Sequence, residues 1–450
     1  MSETYDLVVK GGIVWTTGGP AAVNVAVRDG RIAAIGDIDS DAAGQIVDAT
    51  GLTVLPGVVD TQVHFREPGN EHKEDFESGT RAAALGGVTA VFEMPNTDPS
   101  TTSETALRDK LDRAAGRAWT DHAFFVGAAP ENAEQLGELE TLPGCCGVKM
   151  FMGSSTGNLL VADDETVRRV LANGTRRVAV HAEDEPRLIA RQGERVEGDP
   201  ATHPVWRDAE TAIIATRRLL ALARETGRRV HVLHVTTADE VAILAAAKDI
   251  ATCEVTPQHL TLVAPDCYER LGTYAQMNPP IRGQRHNDGL WAGVRDGVFD
   301  VVGSDHAPHT ADEKALAYPA SPSGMPGVQT QLPLLLDHVN AGRLTLARLV
   351  DVVCTGPARI YGIAGKGRIA LGFDADFTLI DLNASREITA DWLASKCGWS
   401  PFEGMTVRGW PMGTIIRGNV VMRDGELVNA AVGAPVRFQD TLGTHKLSSC

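Results

Sequence analysis

"VVDTQVHFREPG", residues 58–69, begins as a β-branched apolar run and ends in a cluster of polar side chains. A strand buried on both faces reads as a near-continuous apolar stretch, and side chains two apart along it project to the same side. Gln62 and His64 have that spacing. Two histidines so placed could grip one metal ion, but here glutamine takes the first position.

Seven further segments share the texture: "TAVFEMPN" (89–96), "HAFFVGAA" (122–129), "GVKMFM" (147–152), "RVAVHAE" (177–183), "RVHVLHV" (229–235), "ATCEVT" (251–256) and "DVVGSDH" (300–306). Amphipathic stretches separate most of them, among them "SETALRDKLDRAAGRA" (103–118) and "DAETAIIATRRLLALARETG" (208–227). Eight strand-helix units over about 300 residues suit an α/β fold of the (β/α)8 TIM-barrel type, with a doubly wound open sheet as the alternative. The barrel is expected over residues 56–364.

The flanks differ. Short alternating segments punctuated by Gly and Asp-Gly turns fill residues 1–55 and return over 365–436, which predicts an antiparallel unit at each end. "RDGRIAAIG" (28–36) and "RDGELV" (423–428) share the same hairpin pattern, so the two ends are expected to form one composite β-sandwich domain. Residues 437–450 read as a weakly ordered tail.

With 450 residues and 43% hydrophobic content the chain can bury a large core. Its formal net charge of −16 argues against a nucleic-acid or anionic-membrane partner. The start, MSETYDLVVK, lacks a signal pattern, and no apolar run approaches the roughly 20 residues needed to span a bilayer, so a cytoplasmic location is expected. Seven scattered cysteines without paired C-x-x-C spacing suggest neither a disulfide framework nor a cysteine zinc site.

In barrel enzymes chemistry sits at the C-terminal ends of the strands. Those ends carry Gln62 and His64, Asn96, Lys149, His181, His234 and Asp305. One histidine closing an apolar strand is more often a hydrogen-bonded core residue, but several converging on one rim form a candidate metal site. Alternation puts His234 on the face of Val230 and Val232 and turns His231 the other way, leaving His231 a structural role. Lys149 lies between Val148 and Met150, where an inward ammonium is costly unless paired. Burial would depress its pKa, and a neutral amine can react with carbon dioxide to give a carbamate able to bridge two metal ions. Asp305, after "VVGS", would be a buried unpaired carboxylate unless it binds metal or transfers protons. This donor set suits zinc, one or two ions, with manganese or cobalt as substitutes. Arg66 could bind a substrate carboxylate through its planar fork, or form a rim salt bridge, and Asn96 and His309 could join it.

These residues, with "GVKMFMGSSTG" (147–157), "VHAEDE" (180–185), "MNPPIR" (277–282), "GSDHAPHT" (303–310) and "FDADFTLIDL" (373–382), resemble the cyclic amidohydrolases of the amidohydrolase superfamily, dihydroorotases in particular. The resemblance covers nearly the whole chain. It implies a barrel flanked by a β-sandwich, a carboxylated Lys149, metal ligation by His64, Lys149, His181, His234 and Asp305, and substrate binding by Arg66, Asn96, Asn278 and His309. It also implies reversible ring closure of N-carbamoyl-L-aspartate to dihydroorotate in pyrimidine synthesis, with Asp305 as the catalytic base and acid. The expected partner is the small-molecule substrate, in a homo-oligomeric dimer or tetramer. Related enzymes open hydantoins, dihydropyrimidines or allantoin, whose rings lack the carboxylate that Arg66 and Asn96 would bind. The departure is Gln62, which leaves two alternatives open: an altered metal site, or a non-catalytic relative supporting a partner enzyme. The segment 310–327, rich in small residues, Pro and Gly, is expected to close over the ring.

Overall fold

The computed structural model describes residues 5–39, 43–155 and 159–442. The N-terminal strands are β1 (Tyr5–Lys10), β2 (Ile13–Thr16), β3 (Gly19–Ala22), β4 (Asn24–Arg28), β5 (Arg31–Gly36), β6 (Ala43–Asp48) and β7 (Thr53–Pro56). The barrel strands follow: β8 (Val58–Val63), β9 (Val88–Glu93), β10 (Asp121–Gly127), β11 (Cys145–Phe151), β12 (Val178–His181), β13 (Val230–Val232), β14 (Ala251–Val255) and β15 (Val301–Val302). The C-terminal strands are β16 (Phe377–Glu387), β17 (Thr406–Ile416), β18 (Asn419–Arg423) and β19 (Glu426–Leu427).

β8 to β15 form one parallel sheet in chain order, each strand beside its predecessor. A parallel bridge from Val63 to His306 joins the first stave to the last. All eight strands fall where the apolar runs predict. Strand after strand is buried along its full length, which a barrel clad by helices demands. Val88, Val91, Phe124, Val126, Val148, Met150, Val178, Val180, Val230 and Val232 belong to the core shared with those helices. Alternate residues, Val59, Ala90, Phe92, Ala123, Phe125, Cys146 and Ala179, fill the lower interior with Tyr361 and Phe438.

The helices start where side chains can cap them. Asp75, Ser103, Asp163, Asp208 and Thr237 each accept a hydrogen bond from a first-turn N–H of the helices Phe76–Leu85, Glu104–Ala114, Asp164–Ala172, Ala209–Thr226 and Ala238–Ala245. Within the first, Gly79 is required by a close approach: a Cβ there would lie 2.4 Å from the ring of Phe65.

Both chain ends contribute to one β structure. Its sheets run β5-β4-β1-β6 and β19-β18-β17-β16-β7-β2-β3. Between them Leu7, Val25, Val27 and Val54 pack with Ile369, Phe377, Leu379 and Ile415. Both Asp-Gly turns have positive φ at each residue, 51° and 70° at Asp29 and Gly30, 51° and 88° at Asp424 and Gly425, as a tight two-residue hairpin needs. The unit is not purely antiparallel, because β1 pairs with β6 and β2 with β7 in parallel.

The expected weak order from residue 437 is corrected for the part of the tail that the structure describes. Phe438 is buried in the lower barrel interior, Ala364 donates to the Arg437 carbonyl at 2.9 Å, and Asp440 takes a bidentate bond from Arg176 at 2.7 Å. Residues 443–450 lie outside the described residues. Six cysteines, Cys145, Cys146, Cys253, Cys267, Cys354 and Cys397, are buried and unpaired as disulfides. Among the described residues no helix is long and apolar enough to cross a membrane.

A buried ion cluster fastens the β structure to the barrel. Lys366 Nζ lies 2.7 Å from Asp121, at the start of β10, and 2.6 Å and 3.4 Å from Asp376 and Asp374, beside β16. Replacing Lys366 with Met leaves three carboxylates without their shared cation, so unfolding free energy should fall by about 3–5 kcal/mol. Equilibrium urea unfolding checks this; a loss below about 1 kcal/mol would contradict it.

Candidate active site

The strand-end residues meet at one mouth of the barrel. A cleft is lined by Gln62, His64, Arg66, Asn96, Lys149, His181, His234, Asn278 and Asp305, with Phe151, Ser155, Ser323 and Gly324 among the other walls. Of the residues expected there, His309 alone does not line it; that ring is buried behind Arg66, its Nε2 3.3 Å from the guanidinium.

Gln62 and His64 act from the same side of the first stave, as their spacing predicts. Gln62 Nε2 donates to Asp305 Oδ1 at 3.1 Å, and His64 Nε2 lies 3.2 Å from the same oxygen. The other His64 nitrogen is 2.8 Å from Asn96 Oδ1, so Asn96 orients a histidine as well as facing the cleft. Gln62 Oε1 is buried without a hydrogen-bond partner. Burial brings His64 down to about pKa 4 despite the adjacent Asp305, so the ring is neutral and its nitrogen available as a donor atom.

On the opposite side His181 Nδ1 is 3.0 Å from His234 Nε2. The rear nitrogen of His181 is held by Glu183 Oε2 at 2.9 Å, and Arg207 in turn bonds Glu183. That relay fixes which nitrogen faces the cleft. His234 Nδ1 is buried and unpartnered.

The alternation reading of this stave is corrected. β13 ends at Val232, and Val230 and Val232 pack outward, so the inward residue of the strand is His231. It touches Glu254 at 3.3 Å, Thr252 at 2.9 Å and the Tyr361 ring. His234 still enters the cleft because the chain has left the strand and carries φ 34° there. Asp305 arrives in the same way, three residues past β15 and with φ 45°. Non-glycine residues rarely adopt positive φ, and strained backbone at converging polar groups is a common mark of a working site.

Lys149 points inward, 1% exposed, with Nζ 4.4 Å from the centre of the Phe151 ring. Burial lowers its pKa to about 7 against the pull of Asp305 and Glu254, leaving a substantial neutral fraction at physiological pH. Burial would raise Asp305, but the His64 hydrogen bond, the imidazoles of His234 and His64 and the charge of Lys149 outweigh it and hold the carboxyl below its ordinary range. Glu254 is pushed up to about 8 by burial, with Asp305 adding to the shift and Lys149 opposing it.

Glu254 escaped the sequence reading although "ATCEVT" carries the same signal as Lys149, a charge inside an apolar strand. Its room is made by Gly303, where a Cβ would meet the carboxylate at 2.9 Å. Glu183 and Arg207 were also missed; both sit outside the strands, where no periodicity marks them. The proposed cover, residues 310–327, forms a wall through Ser323 and Gly324, tied down by Gly324 N to Gln276 O at 2.9 Å and Ala307 N to Met325 O at 3.0 Å.

With this geometry the comparisons with known proteins agree. The amidohydrolase family model matches residues 53–421. The dihydroorotase of Halobacterium salinarum is 38% identical, with 92% of this chain and 99% of that protein aligned. The allantoinase of Rubrobacter xylanophilus is 36% identical over 98% of this chain and 99% of its own. The solved structure of the L-hydantoinase (dihydropyrimidinase) from Arthrobacter aurescens superposes with a TM-score of 0.90 at 33% identity, covering 96% of this chain and all of that one.

The chain belongs to the amidohydrolase family. It is a cyclic amide hydrolase. Amidohydrolases are in general metal-dependent, and the chemistry of the donor set fits a cation. His64 Nε2, His181 Nδ1, His234 Nε2 and Asp305 Oδ1 face one another across the cleft beside Lys149, a mixture of neutral imidazole and anionic oxygen suited to a borderline divalent ion. They stand here as two hydrogen-bonded pairs, and among the described residues no three His, Cys, Asp or Glu side chains surround one point closely enough to ligate.

The Glu183–Arg207 relay yields a prediction for this amidohydrolase. Replacing Arg207 with Met frees Glu183 and slackens His181, so affinity for a divalent cation should fall about 10- to 100-fold, read by competition with a chromophoric chelator. Unchanged affinity would contradict the relay.

Proposed function

We propose that this enzyme is a zinc-dependent dihydroorotase, reversibly hydrolysing the cyclic amide of (S)-dihydroorotate to N-carbamoyl-L-aspartate in pyrimidine synthesis. The observation that carries the reading is the Arg66 guanidinium. It is 4% exposed, donates to the Pro308 carbonyl at 3.0 Å, approaches His309 at 3.3 Å, and has no carboxylate at ion-pair distance among the described residues. A buried cation without a counter-ion is costly, and a carboxylate on the substrate ring would supply one. Hydantoin and allantoin rings carry no such group.

A zinc ion held by His64, Lys149, His181, His234 and Asp305 would polarise the ring carbonyl and make a water nucleophilic near neutral pH. The residues of the chain do the rest. Arg66, backed by His309, grips the ring carboxylate with help from Asn96, and Asn278 borders the ring, so the amide carbonyl is presented to the base of the cleft. Asp305, held ionised by its neighbours, accepts the proton released on attack and returns it to the departing ring nitrogen. Carboxylation of Lys149 would exchange a cation for an anion between the two donor pairs, removing the charge that keeps an ion out.

The kinship with the R. xylanophilus allantoinase and the A. aurescens L-hydantoinase supports a second reading, hydrolysis of an uncharged five-membered ring. Comparing purified enzyme on dihydroorotate, hydantoin and allantoin, with zinc measured on the same sample, separates the two. The highest kcat/KM is expected for dihydroorotate. Arg66→Met should lower that value about a hundredfold while leaving any hydantoin turnover within a few-fold. Faster opening of hydantoin or allantoin by the unaltered enzyme would overturn the assignment, and a zinc-poor, inactive sample would favour a non-catalytic relative.

A further inference from the structure

A second cavity opens at the other end of the barrel, where the staves begin. Four arginines line it: Arg176, Arg177, Arg229 and Arg359. Arg176 and Arg177 lead into β12, Arg229 leads into β13, and Arg359 lies in the helix Gly356–Tyr361. Val178 pairs with Val230 across the two staves, so Arg177 and Arg229 stand side by side, with Val178 N donating to Arg229 O at 3.2 Å. Both valines pack outward against the helices, and alternation turns the residue before each toward the barrel axis. Cys146 and Tyr361, from the lower barrel interior, face the same cavity.

Its charges do not balance. Asp440 is the one carboxylate among the described lining residues, and both its oxygens are taken by Arg176 at 2.7 Å. Arg359 shares Asp351, 3.3 Å away, with Arg348. Arg177, half-buried, and Arg229, exposed, have neither a hydrogen bond nor an ion pair from their side chains among the described residues. Burial lowers the Arg177 pKa and repulsion from Arg229 lowers it further; Asp300, which opposes the fall, is bound to Lys248. In a chain of net charge −16 this is a local positive site, and its like charges are held together with no anion between them.

The residue type narrows the ligand. Guanidinium forks match pairs of anionic oxygens, and arginine is the side chain for bidentate recognition of phosphate. A carboxylate brings one charge and two oxygens in one plane. A phosphoryl group brings up to two charges and three oxygens set in different directions, which suits forks arriving from two strand starts and a helix. We propose that this cavity binds a small molecule bearing a phosphoryl group, held by Arg177, Arg229 and Arg359 and separate from the catalytic cleft. The Arg176–Asp440 pair forms a neutral wall beside it. The staves that begin here, β12 and β13, lead to His181 and toward His234, so the two sites sit at opposite ends of the same strands.

The experiment is calorimetric titration of the full-length enzyme with pyrophosphate, inorganic phosphate and acetate at one low ionic strength. Pyrophosphate should bind once per chain with Kd below about 1 mM, phosphate more weakly, and acetate not measurably. The double variant Arg177→Met with Arg229→Met should weaken pyrophosphate binding by at least about tenfold, with its near-ultraviolet circular dichroism unchanged. Absence of binding to the wild type overturns the proposal, as does acetate binding as tightly as pyrophosphate. Undiminished binding by the folded double variant would place the anion in the catalytic cleft and overturn it equally. If the double variant does not fold, Arg359→Met, at an exposed position, decides: weaker binding supports the site and unchanged binding removes it.

Discussion

One carboxylate oxygen, Asp305 Oδ1, is where the barrel closes and where the site is assembled. Gln62 and His64 reach it from the first stave, while Asp305 itself lies three residues past the last, one residue before the Val63–His306 bridge that joins the two. The contact settles the register of closure, since a strand moved by one residue would turn Gln62 and His64 outward. It also sets the charge state of the site, because the same contacts that hold the strands hold Asp305 ionised.

Around that oxygen the enzyme collects buried charge that it does not fully neutralise. Lys149, Arg66 and Glu254 are each 4% exposed or less, and burial pulls each away from its ordinary pKa. Other buried charges are paired closely, among them Glu93 with Lys110 and Glu140 with Arg228. The contrast matters. Unpaired charge in the cleft is costly to stability, which is the usual trade at a binding site.

Most of the architecture was legible in the sequence because a barrel stave must be apolar on both faces, leaving short runs that few other structures explain. The composite β structure was legible from two Asp-Gly turns. What the pattern could not show was where each strand stops. His231 and His234 were sorted by an alternation that holds only while the chain stays extended, and β13 ends two residues before His234. Glu254 obeyed the rule that singled out Lys149 and could have been found by it. Arg207 could not, since its role depends on a loop folding back onto Glu183 behind His181. Residues 437–442 look polar and loose in sequence, yet one aromatic ring, Phe438, fits the lower end of the barrel and orders them.

The central claim is that side chains from separate staves converge to hold a cation. Crystals of the zinc-supplied enzyme, measured on both sides of the zinc absorption edge, test it most directly. An anomalous peak is predicted among His64, Lys149, His181, His234 and Asp305. A fully supplied crystal with no peak there, or with zinc bound only elsewhere, would contradict the account.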